Sequence, residues 1–436
     1  MSQRPPGSKG ARPPDSAAIV AIGTEMLGPL RQDTNSLWLS ARLEEIGVRV
    51  VRKSIVGDDP AALRDELDRA AAAAPLVFTT GGLGPTADDL TVAVVAAWLG
   101  APLRRNDEFL AAMRTRFERR GFPMPECNAK QADFIVGADV LANPKGTAPG
   151  FRARKGDVEI VILPGVPSEM KEIFEALVLP RLRELTGGRV ARRRVLRIAG
   201  MGESAVEQLV APLYEKWNED PVTILASPGE VQLHLLARGV PADADRKLAE
   251  MEADFRAVLG DRVFGQDGDD LAVVVARLLK ARGRTIALAE SCSGGLVSTL
   301  LTDVPGSSEY FLGSVVSYAN EAKERLLGVS AETLKAHGAV SAPSAAEMAR
   351  GARERFDSDL AVAITGIAGP DGGTPDKPVG YVCFGLATAE GVVTRTHQLW
   401  GTRDWVKLLA SQVALDMVRR TTLGLPLWDP SLFRRR

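Results

Sequence analysis

Leu76-Val-Phe-Thr-Thr-Gly-Gly-Leu-Gly-Pro-Thr-Ala-Asp-Asp-Leu-Thr91 sets out the architecture of the N-terminal half in one pass. The apolar run Leu76–Thr80 predicts a buried strand. Gly81, Gly82 and Gly84 break it, and the chain returns as a helix from Asp89 to Leu99. Upstream, Ala18-Ile-Val-Ala-Ile-Gly23 predicts another buried strand. Asn35–Ile46 predicts a helix stopped by Gly47, a residue suited to a left-handed cap. A further helix is expected over Pro60–Ala74, with Asp59 as N-cap and Pro60 in its first position. Strands alternating with helices imply an α/β fold whose parallel or mixed sheet is covered on both faces.

The same alternation returns at the C-terminal end. Strands are expected over Thr285–Ala289, Ser314–Ser317, Ala361–Thr365 and Val379–Leu386, with a closing helix from Asp404 to about Arg419. Between the two α/β domains, Arg194–Ile198 and Val231–Leu236 alternate faces as strands of a smaller α+β module. The expected organisation is a disordered Pro/Gly/Arg-rich tail (1–16), an N-terminal domain (17–182), the small connecting module (190–265) and a C-terminal domain (268–425).

Composition excludes several classes. The chain has 436 residues, 45% of them hydrophobic and 25% charged, with a net charge of −1. Such a balance gives no electrostatic reason for nucleic acid or an anionic membrane as the main partner. The triplets Arg192–Arg194 and Arg434–Arg436 are short, and aromatics at 5% offer little stacking surface. Cys127, Cys292 and Cys383 lie far apart, which argues against a disulfide framework and fits a reducing cytoplasm. No membrane-length apolar run occurs.

The C-terminal half holds the densest chemistry. Ala289-Glu-Ser-Cys-Ser-Gly-Gly295 is followed by Pro305-Gly-Ser-Ser308 and Tyr318-Ala-Asn-Glu-Ala-Lys323. Only three histidines occur, His234, His337 and His397, none close in sequence to these serines, so a serine there is better served by a neutralised lysine. Lys323 falls in the first turn of the helix expected after Asn320, where dipole and burial both lower a lysine's pKa. Ser291 stands between strand and helix, where unpaired amides suit an oxyanion or a phosphate. Taken singly, Ser291 reads as an N-cap, Ser308 as a turn-former and Lys323 as a surface lysine. Cys292 is a weak alternative nucleophile. Thr365-Gly-Ile-Ala-Gly-Pro-Asp-Gly-Gly373 with Lys377-Pro-Val-Gly380 forms a glycine loop at a strand end, where backbone can approach a ligand closely.

Together these segments, with Gly338–Ser341, resemble the nicotinamide-nucleotide amidase domain of the CinA family over essentially all of 268–425. The resemblance implies hydrolysis of nicotinamide mononucleotide to nicotinate mononucleotide and ammonia, without a cofactor. Carried over, Ser308 is the nucleophile and Lys323 the general base, with Tyr318 and Ser291 assisting. The choice between the two serines stays open. Gly294, Gly295, Thr365, Gly366, Gly369, Asp371 and Gly372 are the expected substrate contacts.

Near the N-terminus, Gly23–Asn35 (GTEMLGPLRQDTN), TGGLGPTADDLT, NPKGTAPG and LPGVPSEM resemble the family's molybdopterin-binding-type domain, MoaB/MogA-like. The resemblance implies metal-dependent ADP-ribose pyrophosphatase activity. The expected phosphate and nucleotide contacts are Gly81, Gly82, Gly84, Thr86, Asn35 and Glu25. Asp88 and Asp89 are expected to hold a divalent cation, magnesium or a transition metal. N-capping by the aspartates is the competing reading. By analogy with the family a homo-oligomer, a dimer, is expected. The alternatives are a pterin- or nucleotide-binding protein without turnover and a competence or repair accessory, the latter disfavoured by the charge balance.

Overall fold

The structure is a computed structural model and describes residues 14–29 and 31–427. Most of the expected tail (1–16) lies outside those residues, as does Arg434–Arg436. Ser16, placed in the tail, instead opens the first strand.

The N-terminal sheet runs in the order Arg49–Val56, Ser16–Ile22, Leu76–Thr80, Val158–Leu163, Gly150–Lys155, Asp139–Leu141. The first four strands are parallel and the last two antiparallel, so the sheet is mixed. Along the strand Ser16–Ile22 alternate residues enter two cores. Ala18 and Val20 face the helices Pro60–Ala73 and Thr91–Leu99, while Ala17 and Ile19 face Thr34–Glu45 and Pro167–Ile173. That accounts for a near-continuous apolar strand.

Helix starts follow their caps. Asp59 accepts from the Ala62 amide, and Asp33, not the sequence just after it, caps Thr34–Glu45. The third helix begins at Thr91 rather than Asp89, because the Asp89 carboxylate turns back onto Thr86.

The middle strands are longer than expected, Val190–Ala199 and Glu230–Gly239, and are joined by Val222–Ser227 and Val263–Gln266 in one sheet. By packing, the chain divides into two compact units. One is residues up to Arg192 with Arg238–Arg246, and the other is Arg193–Ala237 with residues from Lys247 onward.

The C-terminal sheet runs Phe311–Val316, Ile286–Glu290, Leu360–Gly366, Tyr381–Thr388, Gly391–Gln398. The first three strands are parallel and the last two antiparallel. Here too the faces differ. Ile286 and Leu288 join a core with the closing helix Arg403–Leu423, whereas Ala287, Ala289, Ala361 and Ala363 face the helix Ala342–Phe356. Small residues let that helix come close. A Cβ on Gly385 would lie 2.2 Å from the Ala345 carbonyl oxygen.

In both parallel arrays the first strand lies between the second and third. Such reversals place loops from several strand ends around one crevice. Among the described residues no helix is long and apolar enough to cross a membrane.

Candidate functional sites

In the C-terminal domain the crevice receives Ser291 from the strand Ile286–Glu290, Lys323 from the helix following Phe311–Val316, and Thr365-Gly366 from the end of Leu360–Gly366. Lys323 is 1% exposed and Ser291 8%. The Lys323 ammonium nitrogen donates to Ser291 Oγ at 3.1 Å and to the Ser317 carbonyl at 2.7 Å. Neither partner is charged. Burial, with no carboxylate to offset it, lowers the Lys323 pKa from its usual value.

The Ser291 turn is fastened by a residue absent from the sequence reading. Glu290 is fully buried, and its carboxylate accepts from the amides of Gly295 (3.0 Å), Val297 (3.2 Å) and Ser298 (2.9 Å), and from the Ser298 hydroxyl. The helix start that looked open to a phosphate or oxyanion is therefore filled by the protein's own carboxylate. The Gly294 amide is also engaged, donating to Ser291 O at 3.0 Å. Gly294 and Gly295 thus shape the turn with positive φ rather than offering amides. The signal was Glu290 itself, a carboxylate directly before a helix start.

Burial pushes the Cys292 thiol up to about 12, which leaves it protonated and inert. Its sulfur packs where a Cβ on Gly366 would lie, at 3.0 Å. Thr365 is buried and donates to the Ala339 carbonyl at 2.8 Å. Lys377 holds the same segment through the carbonyls of His337 and Val340, both at 2.8 Å.

Tyr318 is 62% exposed, and its hydroxyl accepts from Arg403 at 2.7 Å. Arg403 also donates to the Gly369 carbonyl at 2.7 Å, tying Tyr318 to the glycine loop. Asp371 and Gly372 lie exposed beyond that tie.

Ser308 is not brought to this crevice. It sits in the short turn Ser307–Glu309 before the strand Phe311–Val316, exposed, beside the Lys280–Glu309 ion pair. Lys323 follows the same strand. Parallel pairing of Ile286 with Phe311 and of Glu290 with Val316 puts Ser291 at Lys323's end. Six residues of strand, about 20 Å at ~3.3 Å each, separate Ser308 from it.

The N-terminal crevice is a cavity of about 420 Å³. Glu25, Asn35, Gly81, Gly82, Gly84, Thr86, Asp88 and Asp89 all line it. Gly81 is required, because a Cβ there would lie 2.1 Å from the Ile22 carbonyl oxygen. The Asn35 amide donates to Thr80 Oγ1 and to the Gly165 carbonyl, both at 2.9 Å, which locks two strand ends together. Asp89 accepts from the Thr86 amide (2.9 Å) and the Thr86 hydroxyl (2.5 Å) through one oxygen, leaving the other uncommitted. Asp88 is exposed. Glu25 pairs loosely with Arg31 at 3.4 Å. Glu169, which the sequence reading passed over, lines the cavity and accepts from Asn143 at 2.6 Å.

Among the described residues no three acidic, histidine or cysteine side chains converge as a ready metal cage. Asp88 with the uncommitted Asp89 oxygen fits a hard cation that keeps waters and takes its remaining ligands from phosphate, the coordination typical of Mg²⁺.

Three family models match in order: "Probable molybdopterin binding domain" over residues 18–184, "Damage-inducible protein CinA KH domain" over 193–265 and "CinA C-terminal domain" over 268–422. A CinA-like protein of Solibacter usitatus is 44% identical over 409 residues, covering 94% of this chain and 98% of its own. A CinA-like protein of Salinibacter ruber is 43% identical over 407 residues, covering 93% and 99%. Among solved structures, the competence/damage inducible protein CihA of Agrobacterium tumefaciens is 39% identical. It covers 34% of this chain and 92% of its own, with a TM-score of 0.33.

Proposed function

The chain belongs to the CinA family, and on that premise we propose that its C-terminal domain is a Ser/Lys amidohydrolase acting on the carboxamide of nicotinamide mononucleotide. The observation that carries this reading is the buried Lys323–Ser291 hydrogen bond, 3.1 Å long, with no acid to hold the lysine charged.

In this reading Ser291, not Ser308, is the nucleophile. Neutral Lys323 takes the Ser291 Oγ proton as Oγ bonds to the carboxamide carbon. The amides of Cys292 and Ser293 follow directly on the nucleophile and engage the Cys292 sulfur; in this reading they would turn to the oxyanion as it forms. Collapse breaks the C–N bond, and the Lys323 ammonium gives its proton to the leaving nitrogen, releasing ammonia. Water, deprotonated by Lys323, then cleaves the acyl-serine ester to the carboxylate. Tyr318 and Arg403 position the glycine loop, and no step requires a metal.

The N-terminal domain is read as a nucleotide-diphosphate hydrolase for ADP-ribose. Its cavity is lined by six carboxylates, Glu25, Asp33, Asp58, Asp88, Asp89 and Glu169, against Arg31. That lining repels a bare diphosphate, so a divalent cation between Asp88, Asp89 and the phosphates suits the charge. Bound there, it would neutralise the phosphates and activate a water.

Ammonia release from nicotinamide mononucleotide, measured in chelator with wild type, Ser291→Ala and Ser308→Ala, tests the amidase. Activity lost only in Ser291→Ala is expected. Loss in Ser308→Ala instead would return the nucleophile to the 305–308 turn, reachable at Lys323 only from a second copy. No release from the wild type would overturn the amidase reading.

A further inference from the structure

We infer that Lys407 is the phosphate-reading residue of the C-terminal site and decides between a mononucleotide and its phosphate-free riboside. The inference rests on the amidase reading. It starts from what the fold excludes. A nucleotide bound with its carboxamide at Ser291 must leave its monoester somewhere, and the nearest helix start is closed. Glu290 takes the amides of Gly295, Val297 and Ser298, and its negative charge repels a second anion there.

Arg403, a second cation on the closing helix, is committed through both terminal nitrogens to Tyr318 and Gly369. Lys407 is different. It lies one helical turn after Arg403, half-buried, in the closing helix. Its ammonium nitrogen stands 3.8 Å from where a Cβ on Gly294 would be, so it overhangs the Ser291–Gly295 turn. Among the described residues no hydrogen bond or ion pair engages it. Gly294 is exposed and has no side chain, so nothing of its own stands between the ammonium and the turn. The turn closes from the Gly294 amide to Ser291 O at 3.0 Å. Such closure holds its end Cα atoms within about 7 Å, so the cation lies within a mononucleotide's length of the nucleophile.

A lone ammonium acts as a point charge for a monoester. It contributes where substrate and transition state both carry the phosphate, so its loss weakens binding and leaves chemistry intact.

The test compares wild type, Lys407→Met and Lys407→Arg on nicotinamide mononucleotide and on nicotinamide riboside. Kinetics are paired with calorimetric binding of both compounds. Lys407→Met should raise KM and Kd for the mononucleotide at least about tenfold, leave kcat within about threefold, and leave the riboside unchanged. Lys407→Arg should restore the mononucleotide preference, which shows that the fold survives. An unchanged preference in Lys407→Met, in kinetics or in binding, overturns the inference. A wild type that hydrolyses neither compound overturns the amidase reading, and the calorimetric comparison then decides Lys407 by itself.

Discussion

Lys323 Nζ lies 3.1 Å from Ser291 Oγ, inside a crevice where the amine's other acceptor is the neutral Ser317 carbonyl. No carboxylate partners a lysine so placed, and burial outweighs the smaller opposing effect of Cys292 to lower its pKa.

That direction has a pH consequence for turnover. The kcat/KM of the amidase should rise with pH as free-enzyme Lys323 loses its proton, through a midpoint below the ordinary lysine value. A flat profile across the neutral and mildly alkaline range would remove Lys323 from the base role.

Stability carries the same signature. Because the folded pKa of Lys323 is depressed, the unfolded chain binds the extra proton between the folded and unfolded values. Stability therefore rises with pH across that window. Lys323→Met should abolish ammonia release while losing this dependence. Chemical denaturation at a series of pH values would show wild type gaining on the variant as pH rises.

Tyr318 is expected to position, not to transfer protons. Its hydroxyl receives the Arg403 donor and is largely exposed. Tyr318→Phe should raise KM for nicotinamide mononucleotide more than it lowers kcat, with kcat within about tenfold. A kcat loss above about a hundredfold would restore the relay role suggested by the sequence.

Asp89→Asn separates capping from metal binding at the other site. One asparagine oxygen still accepts from the Thr86 amide and hydroxyl, so stability should fall by no more than about 1 kcal/mol. Metal-dependent ADP-ribose hydrolysis should be lost, since the carboxylate charge is gone. Retained hydrolysis would show that Asp89 only caps the turn.

Gly81→Ala puts a Cβ 2.1 Å from the Ile22 carbonyl oxygen at φ +110°. The obstacle is backbone and cannot rotate away. A cost of about 2–4 kcal/mol is expected in thermal or urea unfolding. The same variant should keep ammonia release from the C-terminal domain.

Much of both sites was legible without coordinates, and for a local reason. Leu76–Thr80 and the glycines after it, Lys323 in a first helical turn, and Asp59 and Pro60 at a helix start are all set by residues within a few positions of one another. Asp89 was misread as helical because its carboxylate could equally serve the helix or the preceding turn, and it serves the turn.

What the sequence by itself determined is the alternation of strands and helices, the two glycine-rich loops at strand ends, and the serine, tyrosine and lysine inventory of the C-terminal domain. The tertiary structure decided which serine meets the lysine, because parallel strand register carries Ser291 to the end where Lys323 emerges and leaves Ser308 at the other. It also decided that Glu290 closes the helix start and that Arg403 and Lys407, some eighty residues after Lys323, reach across from the closing helix. Strand register and helix docking are long-range packing choices. Local spacing does not encode them, because the partners that fix them are distant in the chain.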